Sequence, residues 1–465
     1  MPLITVLLGI IFLLFLMFKF KVSPFLGLIL TCFFVGVINL MPLTEIIFAI
    51  QKGFGGTMGK IALVIVFGAM LGKLIEVSGA AQVLTDKLVS SFGLKNVQYA
   101  ILVTGFLVGL PMMYNASFLV MIPLIYTLCV RTKLPLLYLG IPLAATLSIA
   151  HAFLPPHPAP TYVSTVFGAD LNFVLLVGLG PVIPACLIAG ILLSKFFNKV
   201  NPEIPSNLYD NNQIKADQLP TFGISLFVAV SPVLCMLGGT FLDMIIGPVP
   251  QDVEALAFYH SYFDTSAIPE SGKLVSAHIM VFIKFLSEAT VALLVAVLIA
   301  SFFLVIKNGN SFDFLTGQLG KSVTGIAMIL LIIGAGGAFS EVLLQAGIND
   351  YIGQIASSVE FNPLVLAFGI AAIIRFAVGS ATVATMTAAP IVLPIAVHYQ
   401  ISPELMVLAT GSGSLMFSHF NDVGFWMFKE YFNVSVKETF LIWTVMECLV
   451  ALTGLANCLI MYTFL

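Results

Sequence analysis

Side chains able to bind a ligand or exchange a proton are concentrated at four short interruptions of an otherwise apolar chain. The interruptions are GLPMMYNAS at 109–117, LPPHPAP at 154–160, AVGSATVA at 377–384 and SHFNDVGFW at 418–426. Small residues let a ligand approach the backbone closely, and proline prevents regular helix formation. These residue types predict a binding site for a small polar molecule, built where four broken segments meet.

The segment 377–384 is typical of an anion site. Small or hydroxyl-bearing residues occupy its centre, namely Gly379, Ser380, Ala381 and Thr382. A helix that begins here would present free N–H groups and the positive end of its dipole to a carboxylate. Arg375 lies nearby in an apolar run, where an arginine needs an anionic partner or a wet cavity. The alternatives are a packing motif of small residues and a purely structural ion pair.

Segments 109–117 and 154–160 supply uncharged hydrogen-bonding groups. The candidate substrate ligands are Tyr114, Asn115, Ser117 and His157. Asn115 can donate and accept hydrogen bonds, which suits the hydroxyls of a polyol, although it could also cap a helix. His151 precedes the prolines of the second segment, and a histidine beside a helix break is a candidate proton carrier.

The segment 418–426 combines titratable and hydrogen-bonding residues. Ser418 and Asn421 are candidate substrate ligands, and His419 and Asp422 are candidate proton carriers. A carboxylate at membrane depth indicates function by default, so Asp422 is the sharpest single candidate. The alternative for Asp422 is a cap on the helix that follows.

Composition places this site in a membrane protein. Hydrophobic residues make up 60% of the chain and charged residues 9%, against roughly 45–50% and about 25% in soluble domains. Backbone polar groups in lipid must be satisfied internally, which predicts an all-α polytopic fold. The net charge of −3 and the absence of a basic tail argue against nucleic-acid binding. We expect no cofactor and no metal, because no metal-ligand spacing such as HExxH occurs.

The apolar runs predict about ten transmembrane helices and two re-entrant hairpins. The crossings lie near 2–18, 24–41, 56–76, 135–165, 172–194, 222–247, 287–306, 322–345, 403–426 and 438–463. Polar segments, among them 251–273, are predicted to be loops. The hairpins, 97–130 and 363–398, are too short for two crossings of about 20 residues each with a turn.

Positive charge predicts the orientation, because Lys and Arg accumulate in cytoplasmic loops. The best distribution puts both termini on the external side of the bacterial inner membrane. Lys95, Arg131 and Lys133 flank the first hairpin, which should enter from the cytoplasm. Glu360 and Glu404 flank the second, which should enter from outside.

A constant offset of 268 residues indicates an internal repeat. It relates Gly68 to Gly336, Gly79 to Gly347, Pro135 to Pro403 and His151 to His419. We predict repeat units at 1–200 and 222–465, joined by a cytoplasmic linker at 201–221 and inverted relative to each other. Inverted repeats with paired broken segments are typical of secondary transporters. A pore or scaffold that arose by gene duplication is the alternative.

Motifs along nearly the whole chain resemble those of the gluconate permease family. The specific ones are GGTMG at 55–59, FLPPHPAP at 153–160, LLIIGAGGAF at 330–339, VGSATVA at 378–384 and GSGSLMFSHFNDVGFWMFKEYFN at 411–433. The resemblance implies proton-coupled uptake of gluconate or a related sugar acid, a fold with inverted repeats, and a homodimer.

One position departs from the family pattern. Members of the family usually have a glutamate where this chain has Asn115. The alternative function is therefore transport of another small carboxylate, a keto sugar acid or D-serine, with altered coupling. A passive channel and an intramembrane metal hydrolase are less compatible with these motifs.

Overall fold

The computed structural model describes residues 2–197, 200, 202–205, 219–246, 270–347 and 362–464, and these are mostly helical and contain no strand. The helices are α1 Pro2–Lys19, α2 Pro24–Ile38, α3 Leu43–Val77, α4 Ala80–Phe92, α5 Val97–Gly109, α6 Tyr114–Thr132, α7 Leu136–Phe153, α8 Pro158–Phe167, α9 Leu171–Phe196, α10 Phe222–Ile246, α11 Glu270–Ser287, α12 Ala289–Ile306, α13 Phe312–Gln345, α14 Pro363–Val378, α15 Ala381–Tyr399, α16 Pro403–Gly413, α17 Val423–Tyr431 and α18 Val436–Met461. The predicted all-α fold is confirmed.

The number of possible membrane crossings agrees with the prediction, but the set of helices differs. Within the described ranges, nine helical runs are long and apolar enough to cross, or ten if the bent α4–α5 pair counts as one. They include α6 and α15, which the sequence assigned to the hairpins. Helix α2 has only 15 residues, fewer than the roughly 20 that a crossing needs.

The two predicted hairpins differ in their packing. Helices α14 and α15 meet at a turn of two residues, Gly379 and Ser380, and pack against each other. Helix α5 packs mainly on α4 and α7 and has little contact with α6. Re-entry of these segments from opposite membrane faces stays a prediction.

Helix order repeats close to the predicted offset. Helices α6 and α15 begin at Tyr114 and Ala381, and the breaks that follow lie between α7 and α8 and between α16 and α17. Gly79 and Gly347, related by the offset, both have positive φ, 75° and 69°, just after the long helices α3 and α13. Opposite orientation of the two units in the membrane stays a prediction.

Helices α3 and α13 form the most extensive helix pair in the described structure. Their glycines allow the two backbones to approach closely, since a Cβ at Gly337 would meet the Gly53 carbonyl and the Thr57 hydroxyl. The predicted crossing at 56–76 therefore begins too late. The glycine-rich stretch before it is helical, because this packing stabilises residues of low helix propensity.

The two predicted polar segments, 201–221 and 251–273, lie largely outside the described ranges. Helix α11 begins at Glu270, so the predicted loop at 251–273 is wrong at its end, and its residues 251–269 lie outside the described ranges. Most of the predicted linker at 201–221 lies outside them too.

Candidate functional site

A cavity of about 270 Å³ lies where three of the four predicted broken segments meet, and the segment 154–160 contributes no lining residue. Its walls come from the start of α6, from α7, α13 and α14, from the start of α15, from the break before α17, and from α18. Predicted site residues in the lining are Tyr114, Asn115, His151, Arg375, Gly379, Ser380, Ala381, Thr382, Asn421 and Asp422. The chain brings these together from positions hundreds of residues apart.

Three helix N-termini border this cavity. Tyr114 and Asn115 form the first turn of α6, which has no side-chain cap. Ser380 caps α15 by accepting from the Val383 N–H at 3.4 Å, and Ala381 and Thr382 follow it. Asp422 caps α17 by accepting from the Gly424 N–H at 3.0 Å. Unpaired N–H groups and positive dipole ends favour a bound anion at such a place.

The α14–α15 turn is held against the break that precedes α17. Gly379 has a φ of 80°, and a Cβ there would overlap the Asn421 carbonyl. The Asn421 amide donates to the carbonyls of Phe376 at 3.0 Å and Ala377 at 3.4 Å. Glycine is required both by the left-handed conformation and by this close approach.

Arg375 and Asp422 form a buried ion pair at the cavity wall. Arg375 Nη2 lies 2.5 Å from Asp422 Oδ2, and the Arg375 side chain is 2% exposed. Ser418 donates to the same carboxylate oxygen at 2.5 Å and accepts from Trp443 Nε1 at 2.8 Å. Asp422 therefore caps α17, as the alternative interpretation predicted, and also lies at the cavity with Arg375, because one carboxylate oxygen accepts from the Gly424 N–H and the other binds Arg375.

Arg375 retains hydrogen-bonding capacity. Its Nε and Nη1 atoms are buried and have no hydrogen-bond partner among the described residues. Buried polar groups are normally paired, and an unpaired one carries a free-energy penalty. A planar guanidinium with free donors beside a cavity suits a carboxylate ligand.

Two histidines connect the cavity to the break before α8. His151 Nε2 lies 3.1 Å from the Thr382 hydroxyl, and His151 Nδ1 lies 3.3 Å from His157 Nδ1. His157 is 3% exposed and does not line this cavity. The sequence predicted His157 at the substrate and His151 as a proton carrier, whereas His151 is the one that reaches the cavity.

Three other predicted residues lie behind or beside the cavity. Ser117 is fully buried and donates to the Met113 carbonyl at 3.1 Å. Ser418 supports Asp422 from behind, as described above. His419 stacks on Phe376 with ring centroids 4.8 Å apart and is absent from the lining.

The polar lining residues that were absent from the predicted site are Ser148, Trp443 and Glu447. Glu447 is 1% exposed and Ser148 is 4% exposed; the Ser148 hydroxyl donates to Glu447 Oε1. A carboxylate in the apolar run of α18 by itself indicates a functional site. Its partner on α7 cannot be predicted from a local sequence pattern.

A second cavity of about 310 Å³ adjoins the first and shares Met113, Asn115 and Ile329 with it. Lys73, Glu76 and Lys321 are its charged lining residues. Lys73 pairs with Glu76 at 2.6 Å. Asn115 thus lies at the boundary between the inner cavity and a space that carries positive charge.

Sequence comparison gives a consistent result over the full chain. The model of the GntP family permeases matches residues 1–464. The chain is 40% identical to a high-affinity gluconate transporter of Escherichia coli over 99% of both chains. It is 39% identical to the Gnt-II system L-idonate transporter of that species, covering 99% of this chain and 98% of the relative. It is 37% identical to the gluconate permease of Bacillus subtilis over 99% of both.

Solved structures share the fold at low sequence identity. The YdaH transporter of Alcanivorax borkumensis superposes with a TM-score of 0.60 at 14% identity, covering 91% of this chain and 89% of that one. MtrF of Neisseria gonorrhoeae gives 0.58 at 15% identity, covering 90% and 84%.

Proposed function

Because the chain belongs to the GntP family of permeases, a family of multi-pass bacterial membrane transporters, we propose that it takes up gluconate or a closely related sugar acid together with protons. The relatives named above carry gluconate or L-idonate, and both are polyhydroxy carboxylates. The substrate of this chain is proposed to be of the same chemical class.

The observation that carries the proposal is the union of three helix N-termini with Arg375 around one cavity. In the proposed complex, the substrate carboxylate lies against the N–H groups of α15 and accepts from the free donors of Arg375. Asp422 holds the guanidinium in place. Charge-assisted hydrogen bonds of this kind are about twice as strong as neutral ones.

The polyol end of the substrate is proposed to face the start of α6. Asn115 both donates and accepts, and it lies at the boundary with the second cavity. Thr382 and His151 add a hydroxyl and an imidazole to the cavity lining. Sugar hydroxyls that lose water on entry would regain hydrogen bonds there.

Transport is proposed to proceed by alternating access, in which the two repeat units expose the cavity to either side in turn. Asp422 and His151 remain candidate proton carriers at the cavity, with His419 farther away. A homodimer, implied by the family resemblance, stays a prediction.

The alternative substrate is another small carboxylate, a keto sugar acid or D-serine. It is favoured by Asn115, an amide at a cavity position where the family pattern has a glutamate. An amide in place of a carboxylate removes one negative charge from the wall and alters which groups a substrate can present to it.

The test is uptake of labelled gluconate into proteoliposomes, with and without an inward proton gradient. We expect accumulation that a protonophore abolishes. Equilibration without accumulation would indicate a passive channel. No uptake by folded protein would direct the search to keto sugar acids and D-serine as substrates.

A further inference from the structure

Glu447 is the buried charged group that the proposed binding mode does not use. It lines the cavity on α18 and is 1% exposed. Its hydrogen-bond partner is the hydroxyl of Ser148. Among the described ion pairs, none involves Glu447, so no cation compensates its charge directly.

The charge on Glu447 affects how well the cavity can bind an anion. The charged lining residues are Arg375, Asp422 and Glu447. Arg375 and Asp422 neutralise each other, so an ionised Glu447 leaves one uncompensated negative charge beside the place proposed for a carboxylate. Two like charges in a poorly solvated space repel strongly.

We propose that Glu447 is the group that carries the transported proton, and that it accepts this proton as the substrate anion binds. The inference rests on the proposed function of sugar-acid uptake. A neutral Glu447 removes the repulsion, so proton and anion each favour the binding of the other. Such coupling is reciprocal by thermodynamic necessity, and it links the two fluxes when the cavity changes sides only with both or neither of them bound.

The proton balance is simple. A proton from the side of entry adds to the Glu447 carboxylate and forms a carboxylic acid, and the substrate anion binds. After the cavity opens to the other side, the anion leaves. Its negative charge then no longer opposes ionisation of Glu447, so the acid releases its proton there. The Ser148 hydroxyl can donate to the carboxylate or accept from the acid.

Other groups face the same space and are competitors for this role. On the elements that form the cavity they are Tyr114 of α6, His151 of α7, Arg375 of α14 and Asp422 before α17. Cys448 follows Glu447 in the chain but is absent from the lining. Asp422 is committed to three partners at once, Arg375, Ser418 and the Gly424 N–H. Protonation of Asp422 would therefore break a network, whereas protonation of Glu447 relieves a repulsion.

The experiment measures gluconate affinity of the purified full-length protein as a function of pH, with calorimetry or the combined fluorescence of Trp426 and Trp443 as the readout. For the wild type, we expect the Kd to rise about tenfold per pH unit above the pH at which Glu447 of the free protein ionises, because one proton binds with each anion. Glu447→Gln mimics the protonated acid, so its Kd should be nearly independent of pH. In proteoliposomes it should exchange gluconate but no longer accumulate it in response to a proton gradient.

Three further variants make the result specific. Glu430→Gln removes an exposed carboxylate that does not line the cavity and should behave as wild type. Asp422→Asn should weaken binding at every pH while the slope persists. Ser148→Ala should shift the pH midpoint and keep the slope.

The proposal is overturned if Glu447→Gln keeps both the pH slope and gradient-driven accumulation. It is also overturned if the slope disappears in Asp422→Asn instead. If Glu447→Gln does not fold, an unshifted midpoint in Ser148→Ala overturns it. Absence of gluconate binding by the wild type would refute the proposed function itself, which is a separate outcome.

Discussion

The two helix–turn–helix regions that meet at the cavity, α5–α6 and α14–α15, differ in charge and in packing. The α14–α15 region carries Arg375, a capped N-terminus at Ser380, and Thr382 bonded to His151. The α5–α6 region contributes Tyr114 and Asn115, both uncharged, and the N-terminus of α6 has no side-chain cap. The comparison suggests a division of labour, in which one region binds the carboxylate and the other reads the rest of the substrate.

Packing supports this division. Helices α14 and α15 pack on each other, and the break before α17 is hydrogen-bonded to the end of α14. Helix α5 leaves α6 and packs elsewhere. A site for a charge benefits from preorganised donors, whereas a region that contacts variable hydroxyls at the boundary of two cavities needs less rigidity.

The largest effect is expected for Arg375→Gln, which removes the charge from the α14–α15 side. Truncating one partner of a buried charge pair is worth about 2–5 kcal/mol, or on the order of 30- to several-thousand-fold in affinity. Gluconate binding to purified protein measures it. The double variant Arg375→Gln/Asp422→Asn should recover thermal stability but not binding, because no unpaired charge remains; recovery of binding would contradict the assignment.

A smaller effect is expected for Thr382→Val on the same side. It leaves the volume unchanged and removes the hydroxyl bonded to His151 at 3.1 Å, with an expected loss of about 1–3 kcal/mol, or about 5- to 150-fold in KM. Thr385→Val is the matched control on the same helix, since Thr385 does not line the cavity and its hydroxyl donates to the Ala381 carbonyl. Equal effects of the two substitutions would contradict a role for Thr382 at the substrate.

On the α5–α6 side, Asn115→Ala should change selectivity more than charge recognition. A lost neutral hydrogen bond is worth about 0.5–1.5 kcal/mol, or about 2- to 10-fold in KM for gluconate. The KM for a carboxylate of similar length without hydroxyl groups should be unaffected by the substitution. Competition uptake with both compounds measures the difference, and an equal loss for both would place Asn115 at the carboxylate instead.

The smallest effect is expected for Ser117→Ala, one turn into α6. Its hydroxyl bonds the Met113 carbonyl and does not reach the cavity. We expect a KM within about twofold of wild type and a stability loss of about 1 kcal/mol, checked by uptake and by thermal unfolding. A loss of uptake comparable to that of Asn115→Ala would extend the site along α6.

The amino-acid sequence alone determined the all-α fold and the family, and it indicated three of the segments that line the cavity. These follow from local properties: lipid requires helices with internally paired backbones, and prolines, glycines and hydroxyl residues mark where helices must stop. Gly379 and Asp422 could be recognised in this way, since one provides a left-handed turn and the other caps a helix.

Only the tertiary structure decided which of these residues share one cavity. Ser117 and Thr382 look alike in sequence, but helix rotation buries the first and brings the second to His151. Glu447 had no visible partner until α18 packed beside α7 and placed Ser148 against it. Such pairings depend on the relative positions of helices distant in sequence, and these positions are set by packing of the whole core rather than by any local pattern.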